Sequence, residues 1–279
     1  MKKIIKALAL AGGVLCVARG FDNRLETTEY EITSSKLPKE FDGFKIVQIS
    51  DFHCDPFPGI CEEIKRLNPD IIVSTGDLAD DKGPYTSALS LCSTLSRIAP
   101  MYAVTGNHDV WRSDYNEFEE ELDALGVRTL HDERVYIERN GEKIALTGID
   151  DPFLVSDDNI TENVQKSLSK LSRTESFDVL LFHRANLLDE LKHFGFDLIL
   201  AGHMHGGQIR MPWGSGVFAP RSSFATGKPM FFPKYFGGKY IHKKTTMIVN
   251  RGLGNPMIIP RLFNRPEVTS IVLRCERDR

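Results

Sequence analysis

Residues 44–53 read FKIVQISDFH, an apolar β-branched run that ends in an aspartate and a histidine. The same arrangement recurs at 71–80 (IIVSTGDLAD), 101–109 (MYAVTGNHD), 179–184 (VLLFHR) and 198–205 (LILAGHMH). Each short apolar run predicts a buried strand. Because ligands bind beyond the carboxyl ends of strands in α/β sheets, the five polar motifs are expected to converge at one rim.

Helical spacing separates these predicted strands. It is found at 61–67, 87–98, 115–125, 163–171 and 187–194. Strand–helix alternation predicts an α/β architecture. Asn140-Gly141 is a hairpin signal between two further runs, and strands are also predicted at 29–33, 245–250 and 268–274. The sheets are therefore expected to be mixed, and two sheets packed face to face with helices outside would accommodate both patterns.

Composition narrows the class of protein. The chain has 279 residues, of which 41% are hydrophobic, enough for one large catalytic domain. The net charge of -3 gives no bulk basic field, so no nucleic-acid partner is expected. Five cysteines without a CxxC pair disfavour both a disulfide framework and a thiolate zinc site.

The first 20 residues differ from the rest. Lys2, Lys3 and Lys6 precede an apolar stretch at 7–18, which is typical of an export leader. The stretch is shorter than the roughly 20 residues that span a bilayer. A cleavable signal peptide and an uncleaved membrane anchor therefore both remain open, beside a soluble cytoplasmic start. We assign 1–20 to this leader, 21–43 to a tether and edge strand, and 44–279 to the catalytic domain. We expect a location at the membrane on the extracytoplasmic side, or secretion if the leader is cleaved.

The motifs offer oxygen and imidazole donors and no thiolate. The candidate metal ligands are Asp51, His53, Asp77, Asn107, His183, His203 and His205. This mixture suits Mn, Zn or Fe rather than Ca. Seven donors exceed the needs of one ion, so we predict two divalent ions about 3.5–4 Å apart with Asp77 as the shared carboxylate. The pair would keep a net positive charge, attract a phosphate and lower the pKa of a bound water.

Each motif alone has a simpler interpretation. An isolated Asp-x-His or Gly-Asp is compatible with a capped turn, and a lone His183 in an apolar run with a core histidine. The order and strand context of the five motifs together favour a metal site. Three histidines, His131, His193 and His242, lie outside the motifs and are interpreted as surface residues.

The set of motifs resembles the calcineurin-like metallophosphoesterase family from Phe44 to Leu273. Within that family it is most similar to the membrane-associated bacterial phosphodiesterases. Their pattern is matched by GHMHGGQIR at 202–210, RGLG at 251–254 and PEV at 266–268. The resemblance implies a four-layer αββα sandwich.

The resemblance also implies roles by position. Asp51, His53 and His205 would hold the first ion, and Asn107, His183 and His203 the second, with Asp77 bridging. His108 would act near the leaving group as general acid or transition-state stabiliser. Asp80 would orient His108 and keep it protonated. Asp109 is a weaker candidate for a supporting role.

Two positions depart from the protein phosphatases of this family. Asp81 stands where their arginine would be, and Asp109 replaces a glutamate, so a protein phosphatase is disfavoured. The expected activity is hydrolysis of a lipid-linked or cell-envelope phosphodiester by a metal-bridging hydroxide, with a UDP-diacylglucosamine-like pyrophosphate as one substrate class. The alternatives are a phosphomonoesterase, a non-catalytic scaffold of the same fold, and a nuclease. Arg184 and Arg210 would contact phosphate or be solvated.

The stretch 218–244 is rich in aromatic residues and lysines. Its members include Phe231, Phe232, Tyr235, Phe236, Tyr240, Lys228, Lys234, Lys239, Lys243 and Lys244. A packed hairpin with a solvated edge is one interpretation. The other is a lid or a membrane-interface surface.

Overall fold

The computed structural model describes residues 18–154, 159–172, 174–219, 230–255 and 259–276. Two six-stranded sheets form its centre. Sheet I has the order β1-β15-β2-β3-β4-β5. Its strands are β1 (Glu26–Ser34), β2 (Lys45–Ile49), β3 (Ile71–Ser74), β4 (Met101–Ala103), β5 (Val127–Thr129) and β15 (Glu267–Cys275). Only β15 and β2 pair antiparallel in this sheet.

Sheet II has the order β13-β14-β9-β8-β7-β6. Its strands are β6 (Glu133–Arg139), β7 (Glu142–Gly148), β8 (Asp178–Arg184), β9 (Leu198–Gly202), β13 (Gly238–His242) and β14 (Thr245–Val249). Hairpins make the two outer pairs antiparallel, whereas β7, β8, β9 and β14 run parallel. The predicted mixture of parallel strands and hairpins is confirmed.

Helices cover the outer faces of both sheets. They are α1 (Ile60–Leu67), α2 (Thr86–Leu95), α4 (Tyr115–Ala124), α5 (Ile160–Ser169) and α6 (Leu188–Leu191), whereas the short α3 (Asn107–Val110) lies at the strand ends after β4. The alternation of side chains along β2 shows the layering, since Ile46 packs in the core between the sheets and Val47 packs against the helices. A matching cluster joins α5 and α6 to the outer face of sheet II. The four-layer αββα fold is thereby confirmed.

Three details differ from the sequence-based expectations. The helix predicted at 187–194 is limited to α6, because a 3-10 turn precedes it and the chain reverses at Gly195, whose φ is 86°. The predicted edge strand at 29–33 is present but longer, since β1 runs from Glu26 to Ser34 within the 21–43 region and pairs along its whole length with β15. The stretch 218–244 is not one hairpin. Its first part joins a small third sheet of β10 (Ile209–Arg210), β11 (Gly216–Ala219) and β12 (Met230–Phe231).

The leader prediction falls mostly on residues 1–17, which lie outside the described residues. Within the described ranges, none of the helices has the length and apolar character needed to cross a bilayer. The described cysteines, Cys54, Cys61, Cys92 and Cys275, are all free thiols.

Candidate metal centre

The candidate ligands lie together where the strands of the two sheets end. Sheet I contributes Asp51 and His53 after β2, Asp77 after β3 and Asn107 after β4. Sheet II contributes His183 within β8, and His203 and His205 after β9. All seven are buried, none more than 8% exposed. Strand topology therefore converts five separated motifs into one polar cluster at the meeting edge of the sheets.

Sharp backbone turns aim these side chains inward. The φ angle is positive at five of them: Asp51 (50°), His53 (50°), Asp77 (55°), His203 (72°) and His205 (47°). A non-glycine residue in this region costs about 1–3 kcal/mol, and such residues concentrate at functional sites. The packing of both sheets holds the turns in place against that cost.

Two glycines allow the turns to approach one another. A Cβ on Gly106 would lie 2.2 Å from Asp77 Oδ1, and a Cβ on Gly202 would lie 1.8 Å from Ser50 Oγ. No side chain fits at either distance. The glycines that precede Asn107 and His203 in the motifs are therefore required by close approach.

The donors form two groups. In the first, His205 Nε2 lies 3.2 Å from His53 Nε2 and 3.4 Å from Asp51 Oδ1. In the second, His183 Nε2 lies 3.2 Å from Asn107 Oδ1 and 3.1 Å from His203 Nδ1. Ligand atoms at about 2.1 Å from one ion lie about 3.0–3.4 Å from each other in octahedral or tetrahedral geometry. Each group therefore has the spacing of donors around a single ion.

Asp77 connects the two groups. Its Oδ2 atom lies 3.6 Å from His53 Nε2 and 3.2 Å from His183 Nε2. Its Oδ1 atom accepts a hydrogen bond of 2.8 Å from the backbone N–H of His108. One carboxylate thus faces both groups and is held by the turn at the start of α3, which suits a bridging position.

The tautomer of His183 also fits a cation. Its Nδ1 donates to the Thr75 carbonyl at 2.7 Å, which leaves the Nε2 lone pair directed at oxygen acceptors. Burial disfavours a proton there, but the Asp77 carboxylate outweighs burial and raises the pKa of His183 to about 9. A divalent ion would replace that proton. Burial, followed by neighbouring cationic groups, holds the pKa values of His203 and His205 well below their usual range, so both rings are neutral as metal ligands must be.

His108 sits beside the cluster rather than in it. Its ring packs edge-on against His53 with centroids 4.7 Å apart, and its Nδ1 lies 2.8 Å from Asp80 Oδ1. Burial alone would lower the pKa of His108, but Asp77 and Asp80 outweigh it and raise that pKa. Asp80 also lies 3.6 Å from His53 Nδ1, so the three side chains form a compact group of their own. Asp80 therefore lies beside two imidazole rings at once.

Asp109 has a larger structural role than the sequence suggested. Its carboxylate accepts backbone hydrogen bonds from Asp77 (2.7 Å), Ala79 (2.9 Å) and Gly106 (2.9 Å). Burial and the charge of Asp77 raise the pKa of Asp109 to about 6. This residue ties the turn after β3 to the turn after β4.

Sequence reasoning missed the residues that support the histidines. Arg184 forms a buried bidentate pair with Asp151, at 2.5 and 3.0 Å, and its Nη1 lies 3.4 Å from His203 Nε2. Arg261 is equally buried, and its Nη2 lies 3.4 Å from His205 Nδ1. Asp151 comes shortly after β7, just as the candidate ligands come shortly after their strands. This pattern could have identified Asp151 from the sequence. No pattern around Arg261 pointed to the site.

The arginines suggested as phosphate contacts are engaged elsewhere. Arg184 is only 1% exposed and holds Asp151. The guanidinium of Arg210 donates to the Gly214 carbonyl and lies over the Phe236 ring, 5.5 Å from its centroid. The three histidines outside the motifs remain apart from the cluster. His131 instead pairs with Asp150 and Glu119.

Comparison with known proteins agrees with this arrangement. The family described as "Calcineurin-like phosphoesterase" matches residues 44–207. The metallophosphoesterase YkuE of Bacillus subtilis (strain 168) is 31% identical over 284 residues, which cover 95% of this chain and 94% of YkuE. Residues 44–207, which match the family, contain every candidate ligand.

Two other similarities are more distant. UDP-2,3-diacylglucosamine pyrophosphatase LpxG of Chlamydia muridarum is 26% identical over 315 residues, which cover 91% of each protein. The solved structure of the NAD nucleotidase NadN from Haemophilus influenzae superposes with a TM-score of 0.50 at 15% identity, covering 75% of this chain and 45% of NadN. At that identity the structural likeness concerns the fold alone.

Proposed function

Because the chain belongs to the calcineurin-like phosphoesterase family, we propose that it is a two-metal phosphodiesterase. The position of Asp77 carries this proposal, since its Oδ2 atom faces the donors of both groups, at 3.6 and 3.2 Å. Asp51, His53 and His205 would hold one divalent ion, and Asn107, His183 and His203 the other. The ions, Mn, Zn or Fe, would supply Lewis acidity and an activated water when bound.

Residues beside the ions would transfer a proton to the leaving group and hold the proton donor in position. His108 would donate a proton to the leaving oxygen of the ester, because its ring borders the first group without belonging to it. Asp80, 2.8 Å from His108 Nδ1, would hold that ring in position and stabilise its charged form. Asp109 would keep the two turns in register through its three backbone hydrogen bonds.

Charge near the site supports a diester over a monoester. A diester carries a single negative charge, whereas a monoester carries nearly two at neutral pH. The buried arginines next to the centre are occupied by protein partners, Arg184 by Asp151 and Arg261 by the Gly254 carbonyl. These two guanidinium groups are therefore not directed at the substrate, which leaves His108 in its charged form as the cation proposed to contact it.

Replacing Asp77 by asparagine tests the bridging position. We expect Asp77→Asn to lose at least one metal per chain and most activity on bis(p-nitrophenyl) phosphate, because the bridging side chain loses its negative charge. Metal content by elemental analysis and turnover after reloading with Mn, Zn or Fe would be measured together. Asp123→Asn, at an exposed position on α4, is the matched control. Two metals and full activity in Asp77→Asn would refute the assignment.

The same assay separates the alternatives. A higher kcat/KM for p-nitrophenyl phosphate than for the diester would favour a phosphomonoesterase. Failure of the purified chain to retain any of the three metals would favour a non-catalytic scaffold.

We further propose that the substrate is lipid-linked and is met at a membrane surface on the extracytoplasmic side. Three aromatic side chains on the small third sheet support this, because Trp213, Phe231 and Phe232 are 74%, 65% and 68% exposed. The sheet begins at Ile209, directly after the turn that carries His205, so these rings project from a segment continuous with the centre. The similarity to LpxG, whose name specifies a diacylated sugar nucleotide, is consistent with such a substrate.

Binding to lipid vesicles tests the surface. Replacing Trp213, Phe231 and Phe232 by Ser should weaken sedimentation with anionic vesicles while sparing turnover of a chromogenic diester. Phe236 is not part of this set, because it packs against Gly216 and Arg210. Phe194→Ser, at a 42% exposed position, serves as control. Equal vesicle binding by the triple variant and the control would refute the membrane proposal and leave the metal centre unaffected.

A further inference from the structure

We propose that Trp111 and Phe153 form an aromatic platform that stacks on a planar ring in the leaving group of the substrate. The inference builds on the proposed phosphodiesterase activity and names a class of leaving group for it. It concerns residues that stand outside the five sequence motifs and outside both groups of metal donors.

A row of ring contacts begins at the first group of donors. The His108 ring lies between two neighbours, with centroid distances of 4.7 Å to His53 and 5.2 Å to Trp111. Trp111 in turn meets Phe153 edge to face, with centroids 5.6 Å apart. The platform is therefore in direct contact with the proposed proton donor.

At its other end, the row of contacts reaches the second group of donors. The Arg184 guanidinium lies 4.7 Å from the centroid of the Phe153 ring, and the same side chain reaches His203 at 3.4 Å. Both halves of the metal centre are thus joined to the platform through one intermediate residue each. A phosphate bound at the centre would have the platform along one side.

The backbone holds Trp111 in place although its side chain is 40% exposed. Its N–H donates to the carbonyl of Asn107 at 3.1 Å, within the turn that carries a candidate ligand. The next residue, Arg112, is 7% exposed and donates to the carbonyls of Asp80 (2.6 Å) and Gly83 (3.0 Å). An exposed indole on a rigid support is suited to contact a ligand rather than to fill a core.

The position of His108 identifies which part of the substrate meets the platform. A proton donor must lie within hydrogen-bond reach of the leaving oxygen, so the group attached to that oxygen extends past His108 toward Trp111. A half-exposed indole offers a flat π-face, and the Phe153 edge widens the wall beside it. Stacking selects planar rings such as nucleobases or aryl groups.

A pair of diesters that differ only in the planar ring tests the platform. Cleavage of the P–O5′ bond by water converts the methyl ester of uridine 5′-phosphate to uridine and methyl phosphate. The same cleavage converts the methyl ester of 1-O-methylribose 5-phosphate to 1-O-methylribose and methyl phosphate, so the two leaving alcohols differ in the base, and the released alcohol is the product measured. We expect kcat/KM to favour the uridine ester by about tenfold, within the range of one stacked base. Trp111→Ala should bring that ratio close to one, mainly through KM, and Trp111→Phe should restore part of it.

The ratio of kcat/KM for the two esters is insensitive to indirect effects of the Trp111 substitution on the catalytic residues. Any disturbance of His108 in Trp111→Ala affects both esters alike, because both need the same proton transfer. Phe194→Ala, with a similar exposure of 42%, should leave the ratio unchanged. A ratio near one in the wild-type protein, or the same ratio in Trp111→Ala, would overturn the platform.

A binding measurement keeps this test separate from the proposed activity. The chain has two tryptophans, so Trp213→Phe leaves Trp111 as the sole indole. Uridine 5′-phosphate should quench its fluorescence in the zinc-loaded protein, whereas ribose 5-phosphate should not. Equal responses to the two ligands would refute the platform even in an active enzyme. Quenching by uridine 5′-phosphate in a protein that hydrolyses no phosphodiester would instead refute the proposed function alone.

Discussion

At the scale of single residues, His108 differs from the seven candidate ligands in keeping 20% of its side chain exposed. The rings of the candidate histidine ligands are buried in the donor cluster. The His108 ring lies at the edge of that cluster, against His53 and beside Asp80. The family resemblance predicts that His108 acts on the leaving group rather than as a ligand, and the contact with Asp80 is consistent with that prediction. A residue at this border can exchange protons with a bound ester without taking part in holding the ions.

Replacing His108 by alanine should reduce kcat about 100- to 10,000-fold, the usual scale of general acid catalysis. The variant should retain both metals, because the remaining donors are unchanged. The reduction should be smaller for esters of p-nitrophenol than for alkyl esters, since a good leaving group needs little protonation. Metal analysis and kcat for both substrate classes would be measured side by side. An equal loss for both classes would contradict the acid role.

At the scale of elements, the turns after β2, β3, β4 and β9 carry the centre. Their existence was predictable, because apolar β-branched runs ending in Gly, Asp, Asn or His give a strong local signal. Their precise shapes were not, because positive φ angles at Asp51 or His205 are imposed by packing across the sheets. The helix ends moved for a similar reason. The sequence predicts one helix at 87–98. In the structure α2 ends at Leu95, and the N–H of Ile98 donates to the Leu95 carbonyl in a tighter turn.

Gly106 tests the close approach of two turns. A Cβ at this position would lie 2.2 Å from Asp77 Oδ1, so Gly106→Ala should push the start of α3 away from Asp77 and lower the metal content. Gly126→Ala is the matched control, because its φ of 82° strains the backbone while its Cβ would meet nothing within 4 Å. We expect the control to lose about 1 kcal/mol of unfolding free energy and to keep its metals. Full metal content in Gly106→Ala would contradict the geometric requirement.

At the scale of the whole molecule, two sheets meet face to face and His131 helps to hold them. It lies between β5 of sheet I and β6 of sheet II, and it pairs with Glu119 of α4 and with Asp150 after β7. Hydrogen bonds that the imidazolium ring donates to the carboxylates of Asp150 and Glu119 raise the pKa of His131 to about 10. The sequence indicated only a surface histidine, because the pairing joins α4 to the turn after β7, two segments that are distant along the chain.

The stability supplied by His131 should depend on pH. The folded-state pKa of about 10 exceeds the unfolded value near 6.5, so the contribution is complete below about pH 6.5 and declines as pH rises toward 10. The gap in Tm between the wild-type protein and His131→Gln should therefore be larger at pH 6.5 than at pH 10. Thermal unfolding across this range would measure it. A gap that is constant or grows with pH would contradict the pairing.

Local sequence patterns are enough to specify the α/β architecture and to identify the residues that gather at the strand ends. Both follow from local patterns, since apolar periodicity specifies strands and chain order brings their ends to one rim. The resemblance to a known family then implied the four layers that the fold confirms.

How the gathered atoms face one another depends on packing between segments that are distant in sequence. Packing between distant segments turns Asp77 toward both groups of donors and pairs Arg184 with Asp151. It also places Trp111 against His108. Asp151 and Arg184, for example, are 33 residues apart along the chain and meet because β7 and β8 are neighbours in sheet II. Contacts of this kind depend on strand register and on buried side-chain packing, which no local pattern of residues encodes.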